Sequence, residues 1–305
     1  MNPMRALVTG GTGFVGSNLA LRLHGAGHEV FITNTEGEQE LPEFRDRSLG
    51  RDFATLPWET LGTMDVVFHQ AAITDTRILD RDEMFRVNTD AALKLFRDAI
   101  AHGCTRIVYA SSCATYGDVK PPFREEGPLR PLNPYGESKR ALDERTMALA
   151  REYADITIVG LRYSNVYGPR ENHKGPMASM VYQLAQQMIQ GNPRLFKSGE
   201  QKRDYVFVGD VVQANLRAAD VRGSGIYNCG SGVSTSFNEV VGMLNDVLAT
   251  QRTPEYIDNP FAGRYQNVTQ CDMTRARDVL GFTPKTDIRT GIRAYADSGH
   301  LVPKP

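Results

Sequence analysis

The 305-residue chain sets 35 Lys+Arg against 36 Asp+Glu, a formal charge of −1, which leaves no polybasic surface for nucleic acid or an anionic membrane. Apolar residues make up 41% and glycines number 28, an ordinary composition for a globular chain of one large domain, or one large and one small. The longest apolar runs, such as Asp65–Ala72, contain His, Gln or Asp and fall far short of the ~18 residues of a membrane span.

Met1–Arg5 leads directly into strand-like residues, leaving no room for a leader. Arg5–Thr9 reads as a strand and Phe14–Gly25 as a helix, with Val15, Leu19 and Leu23 on one face. Glu29–Thr33, Met64–Gln70 and Arg106–Ser111 are further strands, with Met84–His102 helical between the last two. Tyr135–Tyr153 is a helix by the spacing of Ala141, Leu142, Met147 and Leu149, and Asp155–Tyr163 a strand. Short apolar strands alternating with longer helices are the pattern of parallel βαβ units. After Gly168 the rhythm changes. Helices are expected at Met177–Gln190, Asp210–Ala219 and Phe237–Leu248, a strand at Tyr205–Val208, and a polar, turn-rich stretch at Gly191–Gly199. The expected fold is α/β: a Rossmann-like, doubly wound parallel sheet over residues 1–165, to which about 204–230 returns. A smaller substrate-binding lobe occupies most of 166–305. Cys104, Cys113, Cys229 and Cys271 show no C-x-x-C spacing, so no metal cluster or disulfide scaffold is expected, and a reducing cytoplasm fits.

Thr9-Gly10-Gly11-Thr12-Gly13-Phe14-Val15-Gly16 joins the first strand to the first helix. Gly10, Gly13 and Gly16 permit a tight turn and close backbone approach to a pyrophosphate, and the helix start, at Phe14 and Val15, supplies N–H donors. The second strand ends Thr33-Asn34, where a carboxylate would select NAD and an arginine NADP. Neutral Thr33 and Asn34 could serve either cofactor.

Tyr135 and Lys139 form a Y-x-x-x-K one helical turn apart. The lysine ammonium would favour tyrosinate and lower the phenol from its usual ~10, giving a general base. Ser111 and Ser112 end the preceding strand, where open α/β sheets place ligands, and Ser112 can hydrogen-bond the reacting oxygen.

These motifs, with Ala71-Ala72, Asn88, Ser111–Gly117 and Arg203–Asp210, resemble the extended short-chain dehydrogenase/reductase superfamily of sugar-nucleotide epimerases and dehydratases over nearly the whole length. The resemblance implies tightly bound NAD or NADP, a nucleotide-sugar substrate, transient oxidation of a sugar carbinol, and Tyr135 as proton acceptor. Cofactor contacts would come from Gly10, Gly13, Phe14, Val15, Gly16, Thr33, Asn34, Ala71, Ala72, Asn88, Ser111, Val166, Tyr135 and Lys139.

Within the superfamily, Arg162–Met180, Leu195-Phe196, Lys202–Val206 and Gly263–Gln266 are similar to ADP-glyceromanno-heptose 6-epimerases. That similarity implies a second acid/base at Lys174, on the sugar face opposite Tyr135. Arg203 would clamp the diphosphate, while Asn165, Phe196 and Tyr265 join Ser112 and Lys174 around the substrate. Two bases suit an inversion in which the ketone turns only locally, so that a proton donor must wait on its other side. Pro176 replaces a serine and Gln183 a histidine of that pattern. The alternatives are a UDP-hexose or UDP-hexuronate 4-epimerase, which reuses one tyrosine, and a non-catalytic NAD(P)-binding regulatory protein. Relatives associate through the helices at Met84–His102 and Tyr135–Tyr153, which implies a homo-oligomer.

Overall fold

The computed structural model describes residues 3–34, 41–50, 52–258 and 266–302. Its strands run in chain order as β1 (Arg5–Thr9), β2 (Glu29–Ile32), β3 (Val66–His69), β4 (Arg106–Ser112), β5 (Thr157–Tyr163), β6 (Asn165–Tyr167), β7 (Arg194–Phe196), β8 (Lys202–Phe207), β9 (Gly225–Cys229), β10 (Ser234–Ser236) and β11 (Glu255–Ile257). Six of them form one parallel sheet in the order β2-β1-β3-β4-β5-β9, a Rossmann-like arrangement. In register, Leu7 lies between Phe31 and Val67, and Val108 between Phe68 and Val159.

Because side chains alternate across a strand, each strand feeds two cores. On one face Val8, Phe68, Val108 and Val159 meet Leu19 and Leu23 of the helix Phe14–Gly25 and Val211 and Ala218 of the helix Val208–Asp220. On the other, Leu7, Val67, Ile107 and Ile158 meet Leu95 and Phe96 of the helix Ala92–Ala101 and Leu142 and Leu149 of the helix Pro134–Glu152. Helices on both faces explain why the strands are almost uninterruptedly apolar. The chain leaves the main sheet after β5 and comes back with β9, which pairs parallel to β5. The intervening and following residues build a sheet of order β10-β8-β6 and the pair β11-β7. A third core joins Tyr167, Leu195 and Tyr205 to the helices Met180–Gln190, Phe237–Leu248 and Ile288–Asp297.

Two differences from the sequence pattern have local causes. The helix expected over Met84–His102 is three segments, Arg81–Phe85, a widened turn at Arg86–Ala91, and Ala92–Ala101. The widened turn aims Asn88 and Thr89 at the neighbouring helix, where Asn88 Nδ2 meets Ser138 Oγ at 3.2 Å and Thr89 Oγ1 donates to Ser138 O at 2.9 Å. Strands β6, β7, β10 and β11 have three residues each, too few to display a period.

The helix Pro134–Glu152 starts at Asn133, whose side chain accepts from Gly136 N, with Pro134 in the first turn. It is tied to the sheet by a buried ion pair. Arg162 Nε of β5 donates to Asp143 Oδ2 at 2.9 Å, with the two side chains 3% and 1% exposed. Tyr109 Oη donates to the other carboxylate oxygen at 3.0 Å, and Arg162 Nη1 donates to Tyr116 Oη at 3.1 Å. Every partner is hydrogen-bonded, the condition under which buried charges are tolerated. Arg162→Leu strands Asp143, and we expect a loss of about 3–5 kcal/mol in urea denaturation; an unchanged midpoint would show that the pair contributes nothing net.

Candidate active site

A cavity of about 670 Å³ opens at the carboxyl ends of β1, β3 and β4. Strands β2 and β3 lie on opposite sides of β1, so the cavity sits at the topological switch point where doubly wound sheets bind ligands. Its lining includes Gly10, Gly13, Phe14, Val15 and Gly16 of the glycine turn, Ala71 and Ala72 after β3, and Ser111, Ser112, Tyr135 and Lys139. Asn165, Val166 and Lys174 complete it from the far side.

The glycine turn is drawn tight by its neighbours. Gly10 has φ +62°, and a β-carbon there would stand 2.9 Å from the backbone of Ala71; one on Gly16 would overlap the carbonyl oxygen of Gly10. The helix Phe14–Gly25 begins at Gly13 without a side-chain cap, which leaves its first N–H groups directed at the cavity. Such a cradle, too narrow for any side chain, fits the pyrophosphate of a dinucleotide. Thr33 stands behind it: its hydroxyl accepts from Gly10 N at 2.9 Å and its carbonyl from Gly11 N at 2.8 Å. Asn34 Oδ1 accepts from Ser48 Oγ at 3.0 Å. Thr33 thus braces the turn while the Asn34 side chain is tied to Ser48, and neither residue lines the cavity.

The half-buried Tyr135 and the buried Lys139 project from the first two turns of the helix Pro134–Glu152. Burial raises the Tyr135 phenol, and the hydrogen bond with Ser112 opposes that rise. The lowering expected from Lys139 is not among the influences on that phenol; Lys139 Nζ donates to Ala110 O at 2.8 Å. Burial lowers the Lys139 ammonium to about 8, against the favourable field of Asp143 one turn further along. His69 ends β3 fully buried with Nδ1 2.8 Å from Thr9 Oγ1, and burial followed by the Lys139 charge lowers it to about 3. It is a neutral structural ring.

Lys174 stands on a short turn, Asn172–Met177, with Nζ 5.7 Å from the centre of the Phe14 ring. Burial lowers its ammonium, and Glu171 pulls the other way. Asn165 Nδ2 reaches Asp204 O at 3.3 Å and Thr269 Oγ1 at 3.2 Å.

Other expected residues lie back from the cavity. Asn88 is buried, with Oδ1 accepting from Ile73 N at 2.8 Å and Nδ2 donating to Ile73 O at 2.9 Å; it holds the loop that follows Ala71 and Ala72. Arg203 donates to Lys202 O at 2.8 Å and lies over the Phe237 ring at 5.5 Å. Neither Arg203 nor Phe196, at the end of β7, lines the cavity. Tyr265 falls outside the described residues.

The sequence reading missed Gln70, Tyr163, Asp143 and Glu171. Tyr163 Oη donates to Gln70 Oε1 at 2.9 Å and accepts from Asn215 Nδ2 at 2.8 Å, while Gln70 Nε2 donates to Asn215 Oδ1 at 3.0 Å. That closed ring forms part of the cavity wall through Gln70 and Tyr163. Asp143 carried a usable signal, a carboxylate four residues after Lys139 on the same helix. The four cysteines are free and buried, and no group of metal-ligating side chains occurs among the described residues.

Residues 6–230 match the model of the NAD dependent epimerase/dehydratase family. The chain belongs to that family. It is 39% identical to the ADP-L-glycero-D-manno-heptose-6-epimerase of Alkalilimnicola ehrlichii over 321 aligned positions, covering 96% of each chain. The solved ADP-L-glycero-D-manno-heptose-6-epimerase of Helicobacter pylori superposes with a TM-score of 0.86 at 35% identity, over 98% of this chain and 97% of that one. The UDP-glucose 4-epimerase of Thermus thermophilus, solved with NAD, gives 0.84 at 28% identity over 98% and 99%. As a member of the NAD dependent epimerase/dehydratase family the chain is an enzyme of epimerase type that works with a nicotinamide dinucleotide. No helix among the described residues is long and apolar enough to cross a membrane.

Two substitutions test this geometry. Gly16→Ala should weaken cofactor binding about tenfold or more by titration calorimetry; native affinity would show that the turn can relax. Lys139 releases its proton near 8 when folded but near ~10.4 when unfolded, so the unfolded state binds more protons between those values and stability rises with pH there. Below that window the buried charge weighs fully against folding. Lys139→Met should therefore stabilise the cofactor-free protein at pH 7 by about 1–3 kcal/mol in urea and flatten the rise above pH 8.

Proposed function

We propose that this chain epimerises a nucleotide-diphosphate sugar, with an ADP-glycero-manno-heptose inverted at C6 as the substrate and reaction. The observation that carries the reading is that two proton-transfer groups from distant segments, Tyr135 and Lys174, line the same cavity. The high similarity to two heptose 6-epimerases supports the choice of sugar.

NAD or NADP would lie with its pyrophosphate on Gly10, Gly13, Phe14, Val15 and Gly16, and farther along against Ala71, Ala72, Ser111 and Val166. When bound it supplies hydride transfer at the sugar carbinol. The protein's own residues manage the proton and the oxygen. Ser112 hydrogen-bonds the reacting oxygen and Tyr135, as the tyrosinate, takes its proton, with Lys139 one turn further along the same helix. After a local turn of the ketone, Lys174 Nζ gives a proton from the other side. The lowered ammonium of Lys174 makes it a readier acid than a solvated lysine. Asn165 would hold the sugar in the cavity, while Phe196, Arg203 and Tyr265 would meet the nucleotide where it extends beyond the cavity, Arg203 by a bidentate grip on a phosphate once its guanidinium leaves Lys202 O. Assembly as a homo-oligomer through the helices within 81–101 and 134–152 belongs to the same proposal.

Tyr135→Phe and Lys174→Ala should each lose about 100-fold or more of the turnover of an ADP-heptose, followed by NMR. Mass spectrometry of cofactor released from the purified protein decides between NAD and NADP. Full activity of Lys174→Ala, together with turnover of UDP-galactose, would replace this reading by a one-tyrosine 4-epimerase.

A further inference from the structure

The segment that carries Lys174 is short and glycine-punctuated, yet both its ends converge on one buried carboxylate. Glu171 is 0% exposed. Its Oε1 accepts from Gly168 N at 3.1 Å and from Ser179 Oγ at 2.8 Å, and its Oε2 accepts from Ser179 N at 2.5 Å. Ser179 in turn caps the helix Met180–Gln190, its hydroxyl accepting from Tyr182 N at 3.2 Å. The residue just before the loop is held as well, with Pro169 O accepting from Asn18 Nδ2 at 3.0 Å. Lys174 N donates to Glu171 O at 2.9 Å, and Gln183 Nε2 donates to Pro176 O and Ala178 O at 3.1 and 2.7 Å. Between these clamps Gly175 takes φ +51° with open space around it. Lys174 is therefore presented by a loop braced at both ends, with Gly175 in open space beside it.

A carboxylate excluded from water is costly even when hydrogen-bonded. A serine or asparagine could pin two loop ends more cheaply, so a charge in this place calls for a reason beyond fastening. The reason is within reach: Lys174 N donates to Glu171 O at 2.9 Å, so one turn of chain brings the two side chains together, and the negative charge of Glu171 opposes the lowering that burial imposes on the Lys174 ammonium. The other groups facing the pair are the Phe14 ring against Lys174 and Tyr295, from the helix Ile288–Asp297, against Glu171. The flanking Arg170 and His173 have partners of their own.

We propose that Glu171 is the positioning residue of Lys174, closing the loop that presents the lysine and supplying the countercharge that keeps it a proton donor. The proposal rests on Lys174 acting as an acid, but its test reads ionisation rather than turnover. Lysines of the full-length protein are reductively ¹³C-methylated and titrated by NMR, with Lys174→Arg assigning the Lys174 signal. Glu171→Gln, which keeps acceptor and size but removes the charge, should move the Lys174 midpoint to lower pH by about one unit or more. Ser179→Ala, which loosens the loop but keeps the charge, should move it by a few tenths at most. Equal shifts in both variants, or none in Glu171→Gln, overturn the proposal. Should Glu171→Gln fail to fold, Glu171→Asp decides, since a retracted charge must give a smaller shift in the same direction and an unmoved midpoint refutes the role. A wild-type-active Lys174→Ala would refute the two-base reaction and leave this ionic coupling standing.

Discussion

The ion pair between Arg162 and Asp143 is the constraint on which the site depends. It joins strand β5 of the main sheet to the helix that carries Tyr135 and Lys139, and both partners are almost wholly excluded from water. Because residues four apart share a helical face, Asp143 also stands one turn from Lys139 and sets the field in which that lysine titrates. One carboxylate therefore docks the helix and tunes its ammonium. Tyr109, Tyr116 and Asn228 extend the network by hydrogen bonds. The position of the helix Pro134–Glu152 follows from satisfying those buried polar atoms as well as from the apolar contacts of Leu142 and Leu149.

The two cavity lysines share this logic. Each is lowered by burial and held up by a carboxylate on its own segment, Asp143 for Lys139 and Glu171 for Lys174. Desolvation loosens the proton of each, and a carboxylate on the same segment opposes that loosening without cancelling it. The cavity is thus a place where positive charge is maintained at a cost to stability, which is the usual bargain of a functional site.

Much of this was legible along the chain. The βαβ rhythm gave the main sheet because each strand is buried on both faces and reads as an apolar run. The glycine turn and Y-x-x-x-K were legible because their chemistry depends on spacing within one segment. Strands of three residues left no period to detect. The widened turn at Arg86–Ala91 was hidden because its cause, Asn88 and Thr89 reaching Ser138, lies across the structure. Thr33 and Asn34 illustrate the same limit: their neutrality was evident, but that Thr33 braces the glycine turn and Asn34 holds Ser48 depends on who their neighbours are.

By itself, the sequence determined the fold class, the tight glycine turn between β1 and the first helix, and the spacing that sets Tyr135 and Lys139 one helical turn apart, since local spacing and two-sided burial are written in adjacent residues. It also singled out Lys174, through resemblance over the surrounding segment. Only the tertiary structure decided that Lys174 faces the same cavity as Tyr135, and that Asp143 and Glu171 are the countercharges of the two lysines. It also set Arg203 back from that cavity, over the Phe237 ring. Those outcomes depend on desolvation and through-space fields, which act between groups far apart in the chain and have no signature in the order of its residues.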